Sequence, residues 1–257
     1  MSFAVTRSSV EAGPEVTMPS ATILPFTIRI VRTEDHLAKA VHIRSRTYGR
    51  HHPEVADKLS MPEEEDRAPF SLVLLAESKL DGEALGTLRI ETNTKNRLPV
   101  EGLLPADSEC LNRTIAYVTR LGVQARADAS LTKLALFKAL HRYCLACQID
   151  WIVVTAKPPM DRQYKTLGFT SVSEEEVLIP IPWSANIPMK LMSLETINCE
   201  RVWKKNQHPL YKFMFSDFCP DIQIFQSVSG IWNTPRSNRN LPPEPSILDQ
   251  ILEPISS

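Results

Sequence analysis

Apolar and polar positions alternate at the start of the patterned region. Phe26, Ile28 and Ile30 interleave with Thr27, Arg29 and Val31, which predicts a strand over 26–31. Thr33 stands at a helix N-cap position, and 36–49 then repeats Leu37, Ala40, Val41, Ile43 and Tyr48 at roughly helical spacing. Residues 50–69 are charged and punctuated by proline, which reads as a polar loop with a short helix around 53–59 and as a candidate flap over the substrate. Two strand signals at 71–77 and 84–91 flank the turn residues Asp81 and Gly82, so they form a hairpin. After an excursion through Pro99, Gly102 and Pro105 comes a strand over 114–123. Residues 131–147 carry a wide apolar stripe (Leu131, Leu134, Ala135, Leu136, Ala139, Leu140, Tyr143, Cys144, Cys147) with a period near 3.6, which predicts a helix. The continuous apolar run WIVVTA at 151–156 suits a buried central strand. A short helix at 160–166 and a strand beginning at Phe169 complete the series.

This order predicts a mixed α/β (α+β) domain, with helices on both faces of one sheet and a single βαβ crossover. The folded body is expected over 25–230. The stretches 1–24 and 231–257, rich in Ser, Thr and Pro and lacking periodicity, are expected to be disordered tails. With 257 residues and 43% apolar content, the chain can bury a sizeable core. Its 29 basic and 30 acidic residues nearly cancel, so no overall field favours nucleic acid or an anionic membrane. No run approaches the ~20 apolar residues of a membrane span, and the first residues hold no secretory core. Five cysteines without metal-ligand spacing fit reduced thiols, and a cytoplasmic location is expected.

Within the strand at 84–91, Thr87, Arg89 and Glu91 share a face. An arginine beside a carboxylate can clamp an acceptor's carboxylate while the glutamate takes a proton from an attacking ammonium, or the two can form a structural pair. Arg120 has the same two readings. Cys144 and Cys147 occupy mid-helix positions among apolar neighbours and read as core thiols. His51 and His52 lack ligand spacing, so no metal is expected. The aromatic-rich segment 203–218 reads as a core-covering helix that could also wall an acyl pocket.

The run QYKTLGF places Tyr164 three residues before Leu167 and five before Phe169, with Gly168 between. Here the chain resembles the GNAT superfamily of acyltransferases, in which a helix ending in tyrosine turns through Leu-Gly-Phe into the next strand. The resemblance implies a mixed sheet with a splayed βαβ cleft. It makes Tyr164 a candidate acid for the leaving thiolate, the alternative being a packing tyrosine. It also assigns the acyl donor to the backbone of Leu121 and Val123 and to Arg126, Ser130 and Leu131. One departure stands out: GNAT enzymes place a glycine-rich diphosphate loop where this chain reads QARADAS (124–130), which has no glycine and carries the acidic Asp128. Asp128 or Ser130 can instead cap the following helix.

GTLRI (86–90) and YVTRLGV (117–123) resemble motifs of acyl-homoserine-lactone synthases and N-acyl amino acid synthases. Tyr117 occupies the place of the lactone synthases' glutamate, which argues against lactone synthesis. AKP (156–158) and NIPMKLM (186–192) lean toward the N-acyl amino acid synthases. The implied function is transfer of a fatty-acyl group from an acyl-carrier-protein thioester to the amine of a small acceptor such as an amino acid, with no tightly bound cofactor. Lys133, Lys138 and Arg142 would meet the acidic carrier, unless they form a merely solvated face. The alternatives are an acyl-coenzyme A N-acetyltransferase and a catalytically silent binding module.

Overall fold

A computed structural model of the chain describes residues 20–50, 57–173 and 177–225. Nine strands form the sheet framework: β1 (Phe26–Ile30), β2 (Ser71–Ser78), β3 (Ala84–Thr92), β4 (Ile115–Val123), β5 (Trp151–Ala156), β6 (Thr170–Ser171), β7 (Ile179–Ile181), β8 (Ile187–Glu195) and β9 (Ile222–Gln223). Their spatial order is β6-β8-β5-β4-β3-β2-β1-β9, with β7 paired to β8. The helices are α1 (Glu34–Gly49), α2 (Ala129–Ala146), α3 (Met160–Thr166) and α4 (Cys199–Lys205). The architecture is the mixed α/β one expected, and β4 and β5 are the parallel pair joined by α2.

The local reasons follow the sequence. The Thr33 side chain accepts a hydrogen bond from the His36 N–H at 3.3 Å and starts α1. Gly82 takes a φ of +71° in the hairpin turn. The stripe of α2 (Ala135, Leu136, Phe137, Ala139, Leu140, Cys144) packs on the sheet with Phe26, Leu88, Ile90, Val118, Ile152 and Val154. Leu37, Ala40, Val41 and Ile43 of α1 cover the opposite face against Val73 and Leu75. The close approach of β3 to α2 requires Gly86: a Cβ there would stand 3.0 Å from a Thr132 methyl.

Several expectations need correction. Residues 20–24 pack onto the body, with Leu24 only 1% exposed and its N–H donated to Asp221 Oδ2, so order begins before residue 25. The strand expected at Phe169 is only two residues long, and β8 forms most of that edge. α2 begins at Ala129, two residues before the expected 131; Asp128, one of the two expected caps, holds its N-cap position, but the Asp128 side chain makes no capping hydrogen bond. The aromatic segment is α4 followed by a separate turn of π-helix at Lys212–Ser216. Of the short helix placed at 53–59, residues 53–56 lie outside the described residues, as do His51 and His52, and a 3-10 turn follows at Lys58–Ser60.

Lys138 departs furthest from expectation. It is 3% exposed, and its ammonium donates to the backbone carbonyls of Phe213 and Asp217. The helix face shared with Arg142 is therefore covered by the C-terminal segment, and burial pushes the Lys138 amine below its ordinary range. Arg142 lies over the Phe225 ring at 5.8 Å. Lys138→Met should leave two carbonyls without their donor and lower unfolding stability by about 1–3 kcal/mol in urea titration, with faster amide exchange at 213–223. Unchanged stability and exchange would show that the ammonium is not the clamp.

Candidate active site

β4 and β5 pair in parallel only from Ile115/Trp151 to Val118/Val154. Beyond that point β5 continues along β8, up to Ala156 opposite Lys190, while β4 continues along β3. The β5-facing edge of 119–123 is thus left without a strand partner among the described residues. On the other side of β4, Thr87 pairs with Gly122 and Arg89 with Thr119, so Arg120 and Leu121 together oppose Leu88 alone. This is a β-bulge, and Arg120 adopts a left-handed φ of 55° within it. Such a conformation costs about 1–3 kcal/mol and persists only where the surroundings enforce it.

The surroundings are a buried ion cluster on the α1 face. Arg120 donates from Nε and from one Nη to the two oxygens of Glu63, both at 2.6 Å. Arg44 of α1 reaches Glu63 at 3.1 Å and Asp66 at 2.7 Å. Arg89 donates from Nε to Glu91 Oε1 at 2.9 Å and to Thr119 Oγ1 at 3.1 Å, and from Nη1 to Glu63 and Asp66 at 3.0 and 3.2 Å. Glu63 and Asp66 come from the short turn at 63–67, in the stretch expected to be a flap; here it is pinned to the sheet.

Arg89, Arg120 and Glu91 do come together as the sequence suggested, but not as an open acceptor clamp. Arg89 is 3% exposed and spends its donors on protein groups, and Arg120 is forked onto Glu63. An acceptor carboxylate would have to displace Glu63 or Asp66 to be clamped by these arginines. Glu91 Oε1 accepts from Arg89 and Thr119, while Oε2 has no partner among the described residues. Burial alone would raise the Glu63 carboxyl, but the Arg120 hydrogen bond and the charges of Arg120, Arg89 and Arg44 outweigh it and hold the group below its ordinary value of 4.5.

Tyr164 ends the last turn of α3, where Gly168 at φ +88° turns the chain out of the helix. It is 6% exposed and meets Phe137 and Phe169 edge-on at 5.7 and 5.3 Å. Burial, with Tyr48 and Tyr117 adding to it, raises its phenol well above the ordinary range, so it stands protonated at neutral pH. Those two tyrosines belong to α1 and β4, so Tyr164 lies within electrostatic reach of a phenol on each of these elements. Tyr117 stands opposite Glu91 across the β3–β4 pair. Its oxygen lies 3.0 Å from Thr155 Oγ1 and accepts a hydrogen bond from Trp183 Nε1 at 3.1 Å. Glu63, Asp66, Arg44, Tyr48, Thr155 and Trp183 were not singled out as site residues from the sequence. The acidic run 63–66 was the one visible signal, and it carries no period that points to a partner.

At the open end of the splay, Leu121 and Val123 are half-buried. The N–H groups of Ser130 and Leu131 in the first turn of α2 have no acceptor among the described residues, so the absence of glycine does not remove the amide donors. Arg126 pairs with Glu83 at 3.1 Å and approaches Asp128 at 3.9 Å. Lys133 bonds Gln163 of α3 at 2.5 Å. Among the described residues no cluster of His, Cys, Asp or Glu could hold a metal ion, and no helix is long and apolar enough to cross a membrane. A hollow of about 500 Å³, lined in part by Ser108, Cys110, Trp151, Ser171 and Ser193, lies at the paired end of β5 and contains none of the expected site residues.

A family profile described as N-acyl amino acid synthase FeeM matches residues 39–195. The solved structure of FeeM, an N-acyl amino acid synthase from uncultured soil microbes, superposes with a TM-score of 0.56 at 19% identity, covering 74% of this chain and 98% of that one. A CoA-dependent acyl-homoserine lactone synthase, BjaI, solved with SAM and isopentyl-CoA, matches with a TM-score of 0.52 at 15% identity over 72% of this chain and 90% of that one. At these identities the two structures establish a shared fold, the one the GNAT resemblance implied. No curated protein sequence matches the chain.

Glu63 binds fewer protons folded than unfolded in acid, so its stabilisation is present above pH 4.5 and is lost as pH falls through the lowered native value. Thermal unfolding of the wild type should show this acid loss, and Glu63→Gln should flatten it. An identical pH profile in the variant would remove Glu63 from the cluster's energetics. Arg89→Met should strand buried carboxylates and destabilise the fold by about 3–5 kcal/mol in urea titration, the cost of breaking a buried pair. A folded Arg89→Met protein with only a raised acceptor KM would restore the clamp.

Proposed function

The chain belongs to the N-acyl amino acid synthase FeeM family, and from that premise we propose that it moves a fatty-acyl group from a pantetheine thioester to the amine of an amino acid, with acyl carrier protein as the preferred bearer. The observation that carries the reading is the open β4 edge at 119–123, with Tyr164 within electrostatic reach of Tyr117 on the same strand. Pantetheine would add to that edge as an extra strand and bring the thioester to the apex of the splay. The amine attacks the thioester carbonyl, the C–N bond forms and the C–S bond breaks. Tyr164 protonates the departing thiolate, and Glu91 Oε2 takes the proton released by the ammonium, directly or through water.

The donor preference rests on Asp128, whose carboxylate sits at the N-cap of α2, where a diphosphate would otherwise meet free amides. A carrier protein presents a single phosphodiester and suffers less from that charge. Lys138 drops out of the carrier-contact set because it is buried, leaving Lys133 and Arg142 as its candidate members. Acyl-coenzyme A stays as the second reading because the Ser130 and Leu131 amides are available to a phosphate.

Tyr164→Phe should lower turnover by roughly 10 to 10³ with the thermal midpoint kept, the range for loss of one general acid. Unchanged turnover would make the residue a packing element. With decanoyl carrier protein and decanoyl-coenzyme A in competition, the carrier thioester should be consumed first. Asp128→Asn should then improve use of decanoyl-coenzyme A by about two- to fivefold, the weight of one charge at a helix terminus. Preferential consumption of the coenzyme A thioester by the wild type would reverse the assignment.

A further inference from the structure

Three polar side chains at the splay form a chain with a single self-consistent direction. Trp183 lies in the turn at residues 182–186 between β7 and β8, and its indole can only donate a hydrogen bond. It donates to the Tyr117 oxygen at 3.1 Å, with the two rings edge-on at a centroid distance of 6.2 Å. Tyr117 is 3% exposed, and its oxygen has one other polar neighbour, Thr155 Oγ1 at 3.0 Å. If Thr155 donated to Tyr117, the buried phenol proton would have no acceptor among the described residues, an arrangement that folded proteins avoid. The phenol therefore donates to Thr155 Oγ1, and the threonine's own proton points elsewhere. Thr155 is half-buried and makes no other hydrogen bond among the described residues.

Its place in the fold says what that proton meets. Thr155 directly follows Val154, the last residue of β5 paired to β4, so it stands at the apex where the two strands part. The phosphate end of a pantetheine would lie at the opposite end of the splay, by the α2 amides, roughly 16 Å away at about 3.3 Å per strand residue. The reacting carbonyl comes last along such an arm. We propose that the Thr155 hydroxyl donates a hydrogen bond to the thioester carbonyl oxygen of the acyl donor, and that Tyr117 and Trp183 are positioning residues that fix the direction of that donor. The step is electrostatic: the C=O bond becomes C–O⁻ as the amine adds, and the Thr155 proton stays on its oxygen throughout. The inference rests on the acyl-transfer reading above.

The experiment uses the full chain with [1-13C]decanoyl-pantetheine, the part common to both donors, and no acceptor. Isotope-edited infrared spectroscopy should show the bound carbonyl shifted to lower frequency in the wild type. That shift should be absent in Thr155→Val, kept in Thr155→Ser and weakened in Trp183→Phe. In turnover, Thr155→Val should lose on the order of 10²-fold in kcat with little change in donor KM. Trp183→Phe should cost activity in the wild-type background and nothing further in Thr155→Val, whereas a merely structural tryptophan would cost the same in both. A bound carbonyl with the same frequency in wild type and Thr155→Val overturns this inference alone. A wild-type protein that binds no decanoyl-pantetheine overturns it together with the acyl-transfer reading.

Discussion

The parting of β4 from β5 after Val118 and Val154 is the constraint on which the rest of the molecule turns. Two parallel strands that stop pairing midway leave one row of backbone groups open inside a protein, an arrangement that is costly unless something else holds the strands apart. The chain provides such a hold on each face of the sheet. On one side the bulge at Arg120 and the ion cluster beneath α1 pull β4 toward the turn at 63–67. On the other, β5 is drawn along β8 while α3 seats Tyr164 between Phe137 and Phe169. The gap is thus a built feature, and both of its walls carry the groups that acyl transfer would use.

The cluster itself contributes definition more than strength. Three arginines and three carboxylates taken out of water lose several kcal/mol of hydration each, and their mutual attraction returns that only when every fork is filled. Here Arg120 is bidentate on Glu63, Arg44 bridges Glu63 and Asp66 while its buried Nε has no partner among the described residues, and Arg89 joins both to Glu91. Such a network tolerates one arrangement of α1, β3, β4 and the 63–67 turn, and it enforces the left-handed conformation that Arg120 would not adopt alone. Glu91 is held in place by the same contacts.

What was legible in the sequence was what periodicity or a local rule dictates. The continuous apolar run WIVVTA marks out β5, and α3 ends where Gly168 takes a conformation suited to glycine. The shared face of Arg89 and Glu91 followed from strand alternation. The partners of those residues did not, because Glu63 lies 19 residues from Arg44 and 57 from Arg120, and a run of acids has no period to say which side chain it meets. Lys138 and Arg142 do share a helix face, yet spacing cannot tell that residues 213–219 cover it. The Trp183–Tyr117–Thr155 chain spans three elements remote in sequence, so only the folded chain could bring it together.

The unpaired edge of β4 is where an acyl-thioester arm is proposed to dock. Residue-resolved amide hydrogen exchange, recorded with and without decanoyl-pantetheine, tests this most directly. The β5-facing amides within 119–123 should exchange readily in the free protein and slow markedly when the thioester is present. Exchange at 119–123 that is indifferent to the thioester, with new protection appearing instead around the hollow beside Trp151 and Ser193, would contradict it.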